Sequence, residues 1–240
     1  MRILLINPNA SSAMTDDMVR SAQAVEPDAP NTGATAGHGL PSLEGYRDDV
    51  VAAGAVIELI AAHEGSFDAA IVGCFGDPGL YAARELTEAP VVGIAEASFL
   101  TAMALGHRFS VLTTLERGAP PILDVIRMHG VEARCASVRS TGLTVLEAHG
   151  DADAAAEALE REGRLAIDLD RAEVLCLGCG GMVGLRERLQ TRLGVPVIEA
   201  VSAATAFAAA LVRNDLKTSK VRAFKWPEPT AVAGANPAEG

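Results

Sequence analysis

The sequence predicts an α/β protein of two similar lobes, each built on a mainly parallel sheet, related by a pseudo-twofold axis and holding an active site between them. Three observations lead there. Short apolar runs alternate along the chain with helix-patterned stretches of roughly ten to twenty residues, as in strands joined by crossover helices. The second half repeats landmarks of the first at nearly one spacing. Arg2–Asn7 aligns with Arg108–Thr113 at an offset of 106, Cys74 with Cys179 and Gly79-Leu80 with Gly184-Leu185 at 105, and Pro90-Val91 with Pro196-Val197 at 106. Finally, Cys74-Phe75-Gly76-Asp77-Pro78-Gly79-Leu80 and Cys179-Gly180-Gly181-Met182-Val183-Gly184-Leu185 each follow a short apolar run and lead into a helical pattern.

Taken in order, Arg2–Ile6 reads as a buried strand stopped by the Asn7-Pro8-Asn9 turn. Ser11 or Ser12 caps the next helix, which carries Met14, Met18 and Ala22 at four-residue spacing. Asn31–Gly39 gives a short strand and a loop, and Pro41–Tyr46 a connection. Arg47–His63 is patterned as a long helix whose broad apolar face includes Val50, Val51, Ile57 and Ile60. Ala69–Gly73 is a strand with Cys74 at its carboxyl end. Asp77-Pro78 then predicts a helix start, Asp as cap and Pro at the first helical position. Pro90–Ile94 is a strand and Ala95–Leu105 a helix. The second half follows suit, with strands at Phe109–Leu112, Ala133–Val138, Val174–Gly178 and Val195–Glu199. Its helices fall at Arg117–His129, Asp151–Asp170, Leu185–Leu193 and Ser202–Arg213.

This order assigns residues 1–100 plus 201–226 to a discontinuous first lobe and residues 101–200 to the second. Residues 227–240, rich in Pro, Ala, Gly and Glu, are expected to form a loosely ordered tail. A net charge of -11 offers no basic surface for a phosphate backbone, so no nucleic-acid partner is expected. No apolar run approaches the roughly 20 residues of a membrane span, and Ile3–Ile6 is too short for a signal-peptide core. The expectation is a cytoplasmic protein with reduced thiols that acts on a small molecule and does not engage a membrane.

In parallel sheets ligands sit beyond the carboxyl ends of the strands. Asn9, Cys74, Thr113, Thr114 and Cys179 all fall there. A thiol at the mouth of a helix sees free amides and the positive end of the helix dipole, which bring its pKa down from about 8.5 toward neutrality. Two such thiols on opposite faces of a substrate would remove and return a proton at a carbon next to a carbonyl, inverting it. The amides of Phe75-Gly76 and Gly180-Gly181 would hold the charge that spreads onto the carbonyl oxygen. Neither metal nor organic cofactor is needed. Asn9 could bond a carbonyl or ureido group, and Thr113 and Thr114 offer hydroxyls and amides, although each also suits an ordinary turn or strand end.

Cys135 and Cys176 are expected to pack as small hydrophobes. The Cys176/Cys179 C-x-x-C pair lacks the second ligand pair of a structural zinc site, and the five histidines form no ligand motif. Glycine-rich nucleotide motifs are absent after the first strand. Two other readings compete: an amino-acid racemase, and a two-lobed binding protein without catalysis.

With these residues in view, the chain resembles the hydantoin racemase branch, allantoin racemases included, of the aspartate/glutamate racemase superfamily. The likeness runs through Ile3-Leu4-Leu5-Ile6-Asn7-Pro8-Asn9, Pro41-Ser42-Leu43-Glu44-Gly45, Cys74–Leu80, Gly93-Ile94-Ala95-Glu96-Ala97, Arg108–Leu115, Leu177–Met182 and Gly194–Ile198, covering nearly the whole chain to about Trp226. The resemblance implies cofactor-independent, two-cysteine epimerisation of 5-substituted hydantoins or allantoin within a homo-oligomer. Cys74 and Cys179 match the family's catalytic pair. Asn9, Ser42, Phe75, Gly76, Thr113, Thr114, Gly180 and Gly181 match segments that line its site. Gly180 departs from the Ala more usual there, and the missing methyl is expected to widen the pocket or loosen its loop. Members acting on free aspartate or glutamate typically carry Asn-Thr after the first cysteine. Phe75-Gly76 in that place tilts the choice toward a neutral cyclic or ureido substrate.

Overall fold

The computed structural model describes residues 1–228, so nearly all of the segment expected to be a loose tail lies outside the described residues. The first sheet contains β1 (Ile3–Asn7), β2 (Asn31–Thr35), β3 (Ala69–Val72) and β4 (Val91–Gly93) in the order β2-β1-β3-β4. The second contains β5 (Phe109–Thr113), β6 (Cys135–Ser140), β7 (Val174–Leu177) and β8 (Val197–Ile198) in the matching order β6-β5-β7-β8. Every pairing is parallel. The duplication read from the sequence is therefore a duplication of topology, with β1 and β5 central in their sheets.

Strand alternation distributes the core. Ile3 and Leu5 enter a cluster shared by both sheets with Ile71, Phe99, Phe109, Val111, Val174 and Val201. Leu4 and Ile6, pointing the other way, pack with Val56, Ile60, Val72 and Leu80 on the outer face of the first sheet. Leu112, Leu175 and Leu177 do the same for the second, against Leu159, Leu189 and Leu193. Each such side chain contributes about 1.5–3 kcal/mol when fully buried.

The helices that matter to the cleft are α1 (Ser12–Val25), α2 (Tyr46–Ala62), α3 (Leu80–Leu86), α4 (Ile94–Leu105), α5 (Ala119–Met128) and α6 (Val145–Gly150). α7 (Ala152–Asp168), α8 (Arg186–Leu193) and α9 (Ala200–Arg213) complete the set. Ser11 caps α1 by accepting from Met14 N at 3.3 Å. α4 packs against β7 and β5 as well as α9, and so lies between the sheets. α9 packs on α1, α4, β3 and β4. Buried Glu199 ties it to α1, accepting from Val201 N (2.8 Å), Ser202 N (3.0 Å) and Ser21 Oγ (2.6 Å). Among the described residues no helix is long and apolar enough to cross a membrane.

Some expectations are corrected. α3 begins at Leu80 behind Gly79, not at Asp77-Pro78, and Asp77 caps a different helix. Its carboxylate accepts from Ala95 N (3.0 Å) and Glu96 N (2.8 Å) in the first turn of α4. Gly93 makes room for it, because a Cβ there would fall 2.2 Å from the Asp77 carboxyl. On α2 the buried residues are Ala52, Val56 and Ile60, whereas Val50, at 75% exposure, Val51 and Ile57 face outward. The sequence reading also passes over α6, which is closed by a Thr144/Glu147 capping box.

Candidate active site

Both sheets turn their carboxyl ends toward one cleft lined by residues of both halves. Gly73 N–H bonds Ile6 O and Gly178 N–H bonds Leu112 O, both at 2.8 Å, so each central pair of strands ends in the same way before its cysteine. Cys74 and Cys179 line the cleft, together with Asn9, Phe75, Gly76, Thr113, Thr114, Gly180 and Gly181. Of the residues expected there, Ser42 alone stands outside the wall, its hydroxyl 3.3 Å from Glu44 Oε1.

Asn9 is oriented by its turn. Its Oδ1 accepts from Asn7 Nδ2 (2.9 Å) and Ser11 N (2.8 Å), while its Nδ2 meets only the soft acceptor Met14 Sδ at 3.5 Å. The amide therefore presents a donor to the cleft. Phe75 is anchored in the shared core, its ring edge-on to Phe99 at 5.7 Å, and Phe99 stacks on Phe109 at 5.3 Å. That aromatic row fixes the backbone after Cys74.

The thiols differ from expectation. α3 and α8 start well beyond the cysteines, so the helix that follows each sulfur does not direct its amino end at it as expected. Gly181 N–H bonds Cys179 Sγ at 3.4 Å, and the Gly76 amide favours the thiolate of Cys74 in the same way, which directs these amides at sulfur rather than at a substrate oxygen. Burial nevertheless dominates and pushes both thiols up. Nearby carboxylates add to the effect: Asp49 acts on Cys74, and Glu44 on Cys179. Negative charge on Cys179 also raises Cys74.

The sequence reading did not single out Glu44 and Asp49. Both belong to the Leu43–Asp49 segment that closes one side of the cleft. Glu44 Oε1 accepts from Val145 N at 3.2 Å, joining this segment to α6. Two further links span the halves: Tyr46 OH to Asp124 Oδ2 at 2.6 Å and His149 Nε2 to Asp17 Oδ2 at 2.7 Å. Burial lifts Asp49 to about 6. Among the described residues that line the cleft there are carboxylates but no Lys, Arg or His.

Cys176 and Cys135 stay out of the cleft. Cys176 is fully buried in β7, and Cys135 is part-buried with its thiol pushed up to about 11 by burial. A Cβ on Gly180 would point at the main chain of the Cys74 loop, so the absent methyl opens no pocket space and instead lets the two loops touch.

Comparison with known proteins accords with this architecture. The family profile described as Asp/Glu/Hydantoin racemase matches residues 3–208. The chain belongs to the Asp/Glu/hydantoin racemase family. It is 40% identical to a hydantoin racemase of Pseudomonas sp. (strain NS671) over 237 residues, 98% of this chain and 95% of that protein. Among solved structures, allantoin racemase from Pseudomonas fluorescens superposes with a TM-score of 0.94 at 45% identity, covering 97% of this chain and 99% of that one. The allantoin racemase from Klebsiella pneumoniae gives a TM-score of 0.93 at 38% identity, with 98% and 97% covered.

Proposed function

We propose that this family member racemises 5-substituted hydantoins or allantoin, using Cys74 and Cys179 as the two acid/base groups and no cofactor. The observation that carries the reading is the meeting of the two thiols in one cleft, each from the end of a different sheet and each with a glycine amide two residues on. One sulfur, as thiolate, takes the proton from the ring carbon between nitrogen and carbonyl. The electron pair passes onto the carbonyl, and the other sulfur, as thiol, protonates the opposite face. Charge is conserved, and the thiol and thiolate exchange roles. Asn9 Nδ2 is the donor we assign to a substrate carbonyl, with Thr113 and Thr114 across the cleft. In this reading the site lies between a lobe of residues 1–100 plus 201–226 and a lobe of residues 101–200.

The cleft's charge supports a neutral ureide over a free amino acid. A carboxylate substrate would meet Asp49 and Glu44 with no cationic side chain among the described lining residues. The relatives named above, a hydantoin racemase and an allantoin racemase, point the same way. The outward apolar residues of α2 support a homo-oligomer. The test is polarimetry on one enantiomer in D2O. Optical rotation should decay to zero with deuterium entering the stereocentre. Activity on aspartate or glutamate with none on hydantoins would replace this reading by an amino-acid racemase, and binding with no loss of rotation would leave a binding protein.

A further inference from the structure

The two cleft carboxylates are not equivalent. Glu44 is already engaged, its Oε1 taking Ser42 Oγ at 3.3 Å and Val145 N at 3.2 Å. Asp49 stands in the first turn of α2 and lines the cleft beside Cys74. Room is made for it: a Cβ on Gly76 would lie 3.0 and 3.1 Å from its two carboxylate oxygens, so any other residue in that loop would crowd the carboxylate. Among the described residues no hydrogen bond to its carboxylate offsets its burial, and neighbouring Asp48, itself engaged by Glu44 N at 3.1 Å, adds to the strain of holding a charge there. A half-buried acceptor left open in the cleft beside Cys74 suits a ligand that brings a donor.

We propose that Asp49 accepts an N–H of the substrate ring or ureido group on the Cys74 side, and that this bond selects N–H-bearing ureides. The assignment rests on the hydantoin reading above. It gives that reading a specificity residue: a charge-assisted N–H···carboxylate bond is lost when the nitrogen is alkylated, whereas shape-based recognition would tolerate a small methyl.

The experiment uses 5,5-dimethylhydantoin, which has no proton at the ring carbon to exchange, and its two N-methyl derivatives. Affinities are measured by calorimetry on the full-length wild type, Asp49→Asn and Asp49→Ala, with melting curves to confirm folding. In the wild type, methylation at one nitrogen should weaken binding by about tenfold or more. In both variants that penalty should fall to about twofold or less, and the KM for a racemisable hydantoin should rise more than kcat falls. A purely structural role at the start of α2 would leave the methylation penalty unchanged. If the wild type binds no hydantoin and racemises none, the parent reading falls. If it binds and racemises them, but the penalty is absent or equal in all three proteins, the Asp49 assignment alone is overturned.

Discussion

A Cβ at Gly180 would stand 2.6 Å from the main-chain carbonyl oxygen of Gly73, so the loop after Cys179 and the strand end before Cys74 meet backbone to backbone. Main chain cannot swing aside as a side chain can. Gly180→Ala should therefore push the two loops apart at a cost of about 1–3 kcal/mol, or on the order of 5 °C in Tm for a chain of this size. The same displacement changes the gap between the sulfurs, so kcat/KM should fall with the melting temperature. An unchanged Tm and unchanged kinetics would mean that the loops do not rest on each other in solution.

Cys74→Ser and Cys179→Ser should each lower racemisation by at least about 10²–10⁴-fold, the usual contribution of a positioned acid or base. Polarimetry on either enantiomer reads the loss. Wild-type rates in both single variants would remove the two-thiol mechanism while leaving the fold intact.

Burial holds both thiols above their ordinary range, and thiolate is the form that accepts the proton. The expected pH profile of kcat/KM therefore climbs through the alkaline range instead of levelling near pH 7. A plateau reached below pH 7 would show that the cleft lowers one thiol after all.

Asp49 links pH to stability. Its carboxyl ionises at about 6 in the fold, against an ordinary value of 3.8. Below about pH 4 the side chain is neutral in both folded and unfolded states, and its burial is not penalised. As pH rises through 6 the native state has to ionise a half-buried group, and that share of stability is lost. Asp49→Asn does not titrate, so its Tm relative to wild type should increase between pH 4 and pH 7. A flat difference across that range would contradict the raised value.

Asp77→Ala removes the acceptor of two amides that begin α4, a loss of about 0.5–2 kcal/mol. Because Asp77 follows Cys74 by three positions, activity should fall more than stability does. Gly93→Ala should be worse than Asp77→Ala, since it drives a methyl group into the buried carboxyl. Thermal melts and initial rates on the two variants give the comparison.

The strands and the pair of cysteines were legible because each signal is local and occurs twice. Parallel strands buried on both faces read as continuous apolar runs, and the duplication placed Cys74 and Cys179 in register. The capping box at Thr144 and Glu147 was legible too, as Thr-x-x-Glu, and was passed over. What the sequence withheld depends on partners distant in the chain. Asp77 looked like the cap of the helix next to it, yet its amides lie in α4. Glu44 and Asp49 sit where a loop enters α2, with no periodic signal to mark them, and only the folded cleft brings them to the sulfurs. The thiols were misjudged because neighbouring helices begin too late in the chain to matter, leaving dehydration in control.

The helix held by Asp77 lies between the two sheets and touches the strand that leads to Cys179. It works as a spacer block: the loop of the first sulfur is pinned to its amino end, and the strand of the second packs against it. With the two sulfurs acting as proposed, a substitution in its middle, at Ser98 or Phe99, should alter activity without touching a substrate, by changing the thickness of the shim packed beside both.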